Sequence, residues 1–187
     1  MKQTATRSDV EELYRRHAGE LRGYLHRRGG PPGADLLADV FVIALQRIDD
    51  LPEPAMRRAW LFGTARRLLL ASQRESRQRH EAEHQHARSD GPQVHNLVDD
   101  RPDKHLTVRQ ALESLREPDR ELIRLTEWEQ LGVSEAAMVL GLRPGTARVR
   151  LHRARRTLAS HPALRALLAS RTDNPELERD DSQQVQT

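Results

Sequence analysis

The architecture of this chain is legible first in residues 128–156, WEQLGVSEAAMVLGLRPGTARVRLHRARR. A short helix is expected from Ser134 to Leu140, with Ser134 as its N-cap and Glu135 in the first turn, at the positive end of the helix dipole. Gly141 marks a turn, and Pro144 suits the first position of a following helix, where its missing N–H is not needed. At 100° per residue, Ala147, Leu151, Ala154 and Leu158 of that second helix gather in an arc of about 60°, which is expected to pack inward. Arg148, His152, Arg153, Arg155 and Arg156 occupy the remaining arc with Arg150 at its flank, and no acidic residue stands between Arg143 and Arg156. Two short helices joined at a glycine, the second one basic on one side, form a helix-turn-helix whose second helix enters the DNA major groove. The one-sided arginine surface is the electrostatic footprint of a duplex backbone.

Working upstream, Val108, Ala111, Leu112 and Leu115 line one helical face that stops at Pro118, and Leu122, Ile123 and Leu125 lead on to Trp128. Residues 80–104 are rich in His, Glu, Gln and Asp and read as a solvated linker. Before the linker, Ser8-Asp9-Val10-Glu11 has the spacing of a capping box. It opens a stripe through Val10, Leu13, Tyr14, His17, Leu21 and Leu25, which Gly29-Gly30-Pro31-Pro32-Gly33 breaks. A second helix is expected from Asp35, with Leu36, Leu37, Val40, Phe41, Ala44, Leu45 and Ile48 as its buried face. After a loop from Asp49 to Pro54, Trp60, Leu61, Ala65, Leu68 and Leu69 form the inner face of a third helix, with Trp60 read as core. Its other positions carry Arg57, Arg58, Arg66, Arg67, Arg74, Arg77 and Arg79. The expected organisation is a helical domain over 8–79, the linker 80–104, a helix-turn-helix domain over 105–160, and an extension over 161–187 that ends in a disordered polar tail.

Composition agrees with an all-α chain. Six aromatic residues and three isoleucines among 187 leave little for a sheet-based core, whereas Leu and Ala favour helix on helix. Only Lys2 and Lys104 among 31 basic residues are lysines, so 29 are arginines, whose planar fork suits phosphate and guanine edges. No cysteine is present, which excludes a disulfide framework, a thiolate zinc site and a cysteine nucleophile. Without an apolar run of about 18 residues or an apolar N-terminal leader, the chain is expected in the cytoplasm, with no membrane insertion.

Residues 128–155 resemble region 4 of bacterial RNA polymerase sigma factors, most specifically in Gly145-Thr146 and in Arg150-Leu151-His152-Arg153-Ala154-Arg155. Asp35-Leu36-Leu37-Ala38-Asp39-Val40-Phe41 and Ala59-Trp60-Leu61-Phe62-Gly63-Thr64-Ala65-Arg66 are similar to two segments of region 2. Two regions joined by a linker resemble the small extracytoplasmic-function (ECF) group of the sigma-70 superfamily. The resemblance implies core RNA polymerase as partner, through the β′ clamp helices and the β subunit, with Asp35, Asp39 and Gln46 on the docking face; Asp35 is read as an N-cap as well. It implies promoter DNA as ligand. Arg57, Arg58, Arg66, Arg67 and Arg74 would line the single-stranded −10 element, and Thr146, Arg148, Val149, Arg150 and Arg153 would read the −35 element. An anti-sigma factor is a further partner implied for many members. The chain departs from the family pattern in Ala38 for glutamine, Asp39 for glutamate and Arg67 for asparagine.

Other classes fit less well. His80, His84 and His86 lie where no apolar stripe would fix them, so no metal site and no cofactor are expected. No nucleophile and base sit in a recognisable motif, so the chain is not expected to be an enzyme. A stand-alone helix-turn-helix regulator binding operator DNA as a dimer is the rival reading; it leaves the region 2 similarity and the arginines of the third helix without a role.

Overall fold

The computed structural model describes residues 5–86 and 102–172, and every regular element among them is helical. They are α1 (Arg7–Asp35), α2 (Leu37–Gln46), a 3-10 turn (Ile48–Asp50), α3 (Pro54–His86), α4 (Pro102–Glu113), α5 (Glu117–Glu127), α6 (Val133–Leu140), α7 (Pro144–Ala159) and α8 (Pro162–Thr172). The all-α expectation holds. Most of the expected linker and the polar tail beyond residue 172 lie outside the described residues, although α3 continues to His86, past the point where the linker was expected to begin.

The helix starts differ from expectation by a residue or two. Thr6, not Ser8, caps α1: its N–H and hydroxyl donate to Asp9 Oδ2 at 2.7 and 2.6 Å, and Asp9 N–H donates back to Thr6 Oγ1 at 3.3 Å. The Thr-x-x-Asp pair makes the same reciprocal cap as Ser-x-x-Glu while adding helical bonds upstream. At Gly30 the backbone takes φ 64 and ψ −158, a conformation nearly confined to glycine, and α1 bends there before Pro31 and Pro32. Asp35 is the last residue of α1 rather than the N-cap of α2. That position falls to Leu36, whose φ −70 and ψ −7 are helical, so no extended residue is left for a side chain to cap from.

The core of the N-terminal helices is drawn from all three: Leu21, Tyr24 and Leu25 of α1, Val40 and Ala44 of α2, and Ala59, Leu61, Phe62 and Ala65 of α3 are completely buried. Tyr24 meets Phe62 edge to face, with ring centroids 5.1 Å apart. Trp60, expected in the core, is only half-buried, and Leu45 of α2 is exposed. Phe62 takes the interior instead, against Tyr24 of α1, and α3 packs on α1, α2 and α6. Val139 Cα of α6 lies 3.7 Å from where a Cβ on Gly63 would stand.

Among the described residues the helices form two compact units that follow packing rather than chain order. One draws on residues 5–86 and 124–148, the other on residues 102–123 and 149–172. In the second, α4 packs on α8, and Ala111, Leu112, Leu115, Leu122, Leu151 and Ala154 are buried.

Arg57 is 6% exposed and donates from Nη1 to Asp9 Oδ1 at 2.7 Å and from Nε to the Pro52 carbonyl at 3.3 Å. Hydrogen bonds from Thr6, then from Arg57, hold the Asp9 carboxyl at about 2, below its ordinary 3.8. A carboxyl depressed in the folded state contributes stability above its unfolded pKa and loses it as pH falls through the folded value. Asp9→Asn should therefore melt below the wild type at neutral pH, with the gap closing from about pH 4 and gone near pH 2. A gap that persists at pH 2 in parallel thermal melts would show that the carboxylate's charge is not what acts.

Candidate nucleic-acid interface

The helix-turn-helix is built by short-range chemistry. Gly132, not Ser134, stands at the N-cap of α6, and its N–H donates to Glu135 Oε2 at 2.7 Å, so the glutamate carboxylate closes the first turn from inside. At the other end Gly141 adopts φ 65 and ψ 30, and the Leu142 N–H returns to the Ala137 carbonyl at 2.8 Å, the left-handed closure that glycine makes without steric penalty. Pro144 then opens α7. Ala147, Leu151 and Ala154 are at most 2% exposed, with Leu158 half-buried, so the inward arc is as the periodicity predicts.

The five residues expected to read the −35 element are placed unequally. Thr146, Arg148, Val149 and Arg153 are exposed. Thr146, Val149, Arg150 and Arg153 stand at i, i+3, i+4 and i+7 and share one stripe, whereas Arg148 falls on the opposite flank of the buried arc. Arg150 is half-buried at the edge of its stripe. Its Nε donates to Asp119 Oδ1 at 2.7 Å, and the other oxygen of Asp119 lies 3.4 Å from Arg116 Nε.

The arginines of α3 divide more sharply. Arg57 is the interior partner of Asp9. Arg58 donates to both oxygens of Glu20, at 3.0 Å from Nε and 2.7 Å from Nη2, and to the carbonyls of Glu129 (2.6 Å) and Gln130 (3.3 Å). Burial by itself would raise the Glu20 carboxyl, but hydrogen bonds and charge from Arg58 and His17 outweigh it and hold the group below its ordinary value; Glu20 in turn raises Arg58. Arg67 and Arg74 are exposed and, seven residues apart, share a face, while Arg66 is half-buried beside them. Arg67 also donates to Thr64 Oγ1 at 3.0 Å.

Asp35, Asp39 and Gln46 are all exposed. Two apolar side chains lie among them on α2: Val42 at 47% exposure, which the sequence reading did not single out, and Leu45 at 43%, which it expected on the buried face.

Glu129 was missed altogether. Its side chain is 2% exposed, and its two oxygens accept from Arg27 Nη2 at 2.6 Å and Arg28 Nη1 at 3.0 Å. The loop that carries it is shaped by Gln130, at φ 52, and Arg58 holds that loop's carbonyls. Arginine pairs at residues 27–28 are unremarkable in a chain with 29 arginines, so no local signal marked this contact.

A sigma-70 region 4 family model matches residues 105–158. The chain is 28% identical over 159 residues to the RNA polymerase sigma factor YlaC of Bacillus subtilis (strain 168), covering 80% of this chain and 89% of that protein. Among solved structures it is similar to the sigma factor RpoE in complex with the anti-sigma factor NepR from Bartonella quintana. That match has a TM-score of 0.56 at 24% identity and covers 81% of this chain and 94% of the other. CnrH in complex with the cytosolic domain of CnrY gives 0.54 at 24% identity over 88% and 90% of the two chains. At these identities the two structures speak to the fold. No helix among the described residues is long and apolar enough to cross a membrane.

Proposed function

We propose that the chain is a sigma factor of the sigma-70 family, in the ECF group, which it resembles in region 4 and along most of its length, and that it binds core polymerase and directs promoter recognition at the −10 and −35 elements. The observation that carries this reading is the cationic, acid-free face of α7, presented behind a capped α6 inside the stretch that matches region 4. Such a face attracts duplex phosphate without help from the rest of the molecule.

In this reading Thr146, Val149, Arg150 and Arg153 face the −35 base edges from one stripe of α7, and Arg148 holds phosphate on the other flank. Arg66, Arg67 and Arg74 supply cations along the opened −10 strand. Arg57 and Arg58, engaged by Asp9 and Glu20, frame that surface from within. Asp39 and Gln46, with Val42 and Leu45 between them and Asp35 close by in sequence, form the polymerase-docking face of α2. The protein works without cofactor or catalytic step, in the cytoplasm, and an anti-sigma protein is its natural antagonist, as NepR is named for RpoE.

Reconstitution with core polymerase on promoter DNA should give transcripts from a defined start. Tight duplex binding by the chain alone, with no association with core enzyme, would instead support a stand-alone regulator. Asp39→Arg places a cation where the docking face carries an anion and should lower co-purification with β′ by roughly ten-fold. The same variant should leave the melting of the chain unchanged. Undiminished co-purification would move the docking face away from α2.

A further inference from the structure

We infer that Asp119 is a positioning residue for −35 recognition, fixing the guanidinium of Arg150 before DNA arrives; this rests on the reading of α7 as the −35 reader. Arg150 sits where the buried arc of α7 meets its exposed stripe, with its side chain 26% exposed against 12% for Asp119. A half-buried arginine left to itself samples many rotamers, and ordering it on binding weakens the complex. Asp119 removes that freedom. It stands in the first turn of α5, where the helix N-terminus favours a carboxylate, and Oδ1 takes the Arg150 Nε–H at 2.7 Å, a charge-assisted bond. Oδ2 faces Arg116 Nε at 3.4 Å, but Arg116 is 81% exposed and this second contact is weak.

The choice of nitrogen matters. With Nε committed, Nη1 and Nη2 make no other hydrogen bond among the described residues. These are the two donors that an arginine presents in parallel to a guanine edge or to phosphate. Asp119 thus holds the proximal edge of the fork and leaves the distal edge for the ligand. Its own negative charge opposes the DNA backbone. Removing it should therefore have opposite effects on two quantities: discrimination between sequences falls, while affinity for duplex of any sequence is kept or rises. A residue that merely supported the fold would lower both together.

The test uses the full chain reconstituted with core polymerase and a duplex library randomised at the −35 position. Selection with the wild-type holoenzyme yields a preferred −35 duplex; if none emerges, the reading of α7 itself fails and the failure is separate from that of Asp119. The preferred duplex and its scrambled counterpart are then titrated with Asp119→Ala, Asp119→Asn, Arg150→Ala and the Asp119→Ala, Arg150→Ala double variant. Asp119→Ala should reduce discrimination about ten-fold with scrambled-duplex affinity undiminished. Asp119→Asn keeps an oxygen acceptor in place and should retain part of the discrimination. In the Arg150→Ala background, Asp119→Ala should change nothing further. Unchanged discrimination in Asp119→Ala, an equal loss on both duplexes, or full additivity with Arg150→Ala would each overturn the assignment. If Asp119→Ala unfolds the chain, Asp119→Asn decides by the same criteria.

Discussion

Replacing Phe62 by alanine should lower the unfolding free energy by about 4 kcal/mol, and the melting temperature by roughly 10 °C. The ring is completely buried and stands edge to face with Tyr24 at 5.1 Å, an arrangement that adds about 1 kcal/mol beyond the area it removes from water. Phe62 also lies on a stretch of α3 covered from two sides, by α1 and α2 and by α6. Helices held on both faces do not close readily over a void, so most of the cavity term remains. Phe62→Leu, which roughly conserves volume, should lose only about 1.5 kcal/mol. Urea titration followed by far-UV circular dichroism checks both variants. An alanine variant that unfolds at nearly the wild-type midpoint would mean that the three-helix core does not depend on this ring.

The second large effect is expected at Glu129. Glu129→Ala removes the buried carboxylate shared by Arg28, whose side chain is 13% exposed and also lies over the Tyr24 ring at 4.2 Å, and by Arg27. A loss of about 3 kcal/mol follows. It should fall on one part of the molecule, because the loop carrying Glu129 leads directly into α6. The amides of α6 should lose about a hundred-fold in hydrogen-exchange protection, while those of α1 and α2 keep theirs. Glu129→Gln, which retains an acceptor for one arginine, should lie between. Unaltered α6 protection would show that packing against α3, not the ion pair, holds the helix.

Both predictions concern contacts that no reading of spacing supplied. Glu129 is 101 and 102 residues from its arginine partners, and Arg57 is 48 from Asp9. On a helical wheel Arg57, Arg58, Arg67 and Arg74 look alike, a run of cations beside an apolar stripe. Folding sorts them, since two find carboxylates brought from α1 while, among the described residues, two do not. The same holds for Trp60 and Phe62. Choosing between them requires knowing which face of α3 meets Tyr24 of α1, which one helix's periodicity does not reveal. The caps went astray for a different reason. Thr6 and Ser8, or Gly132 and Ser134, are candidates two residues apart with similar local chemistry, and the better closure is settled by the partner three residues on, Asp9 or Glu135.

Most of the helices, an interruption near Gly30, the turn at Gly141 and the acid-free outer arc of α7 were readable from residue order; that α1 runs on through Pro31 and Pro32 to Asp35, and that residues 162–172 form α8, were not. Each of the readable features rests on forces that act within about one helical turn: backbone hydrogen bonding, glycine's access to positive φ, and the 3.6-residue period. Which arginines stand exposed and which are held by carboxylates was a matter for the folded chain. Ion pairing depends on distance in space, and two groups a hundred residues apart come within 3 Å only after the helices between them have packed.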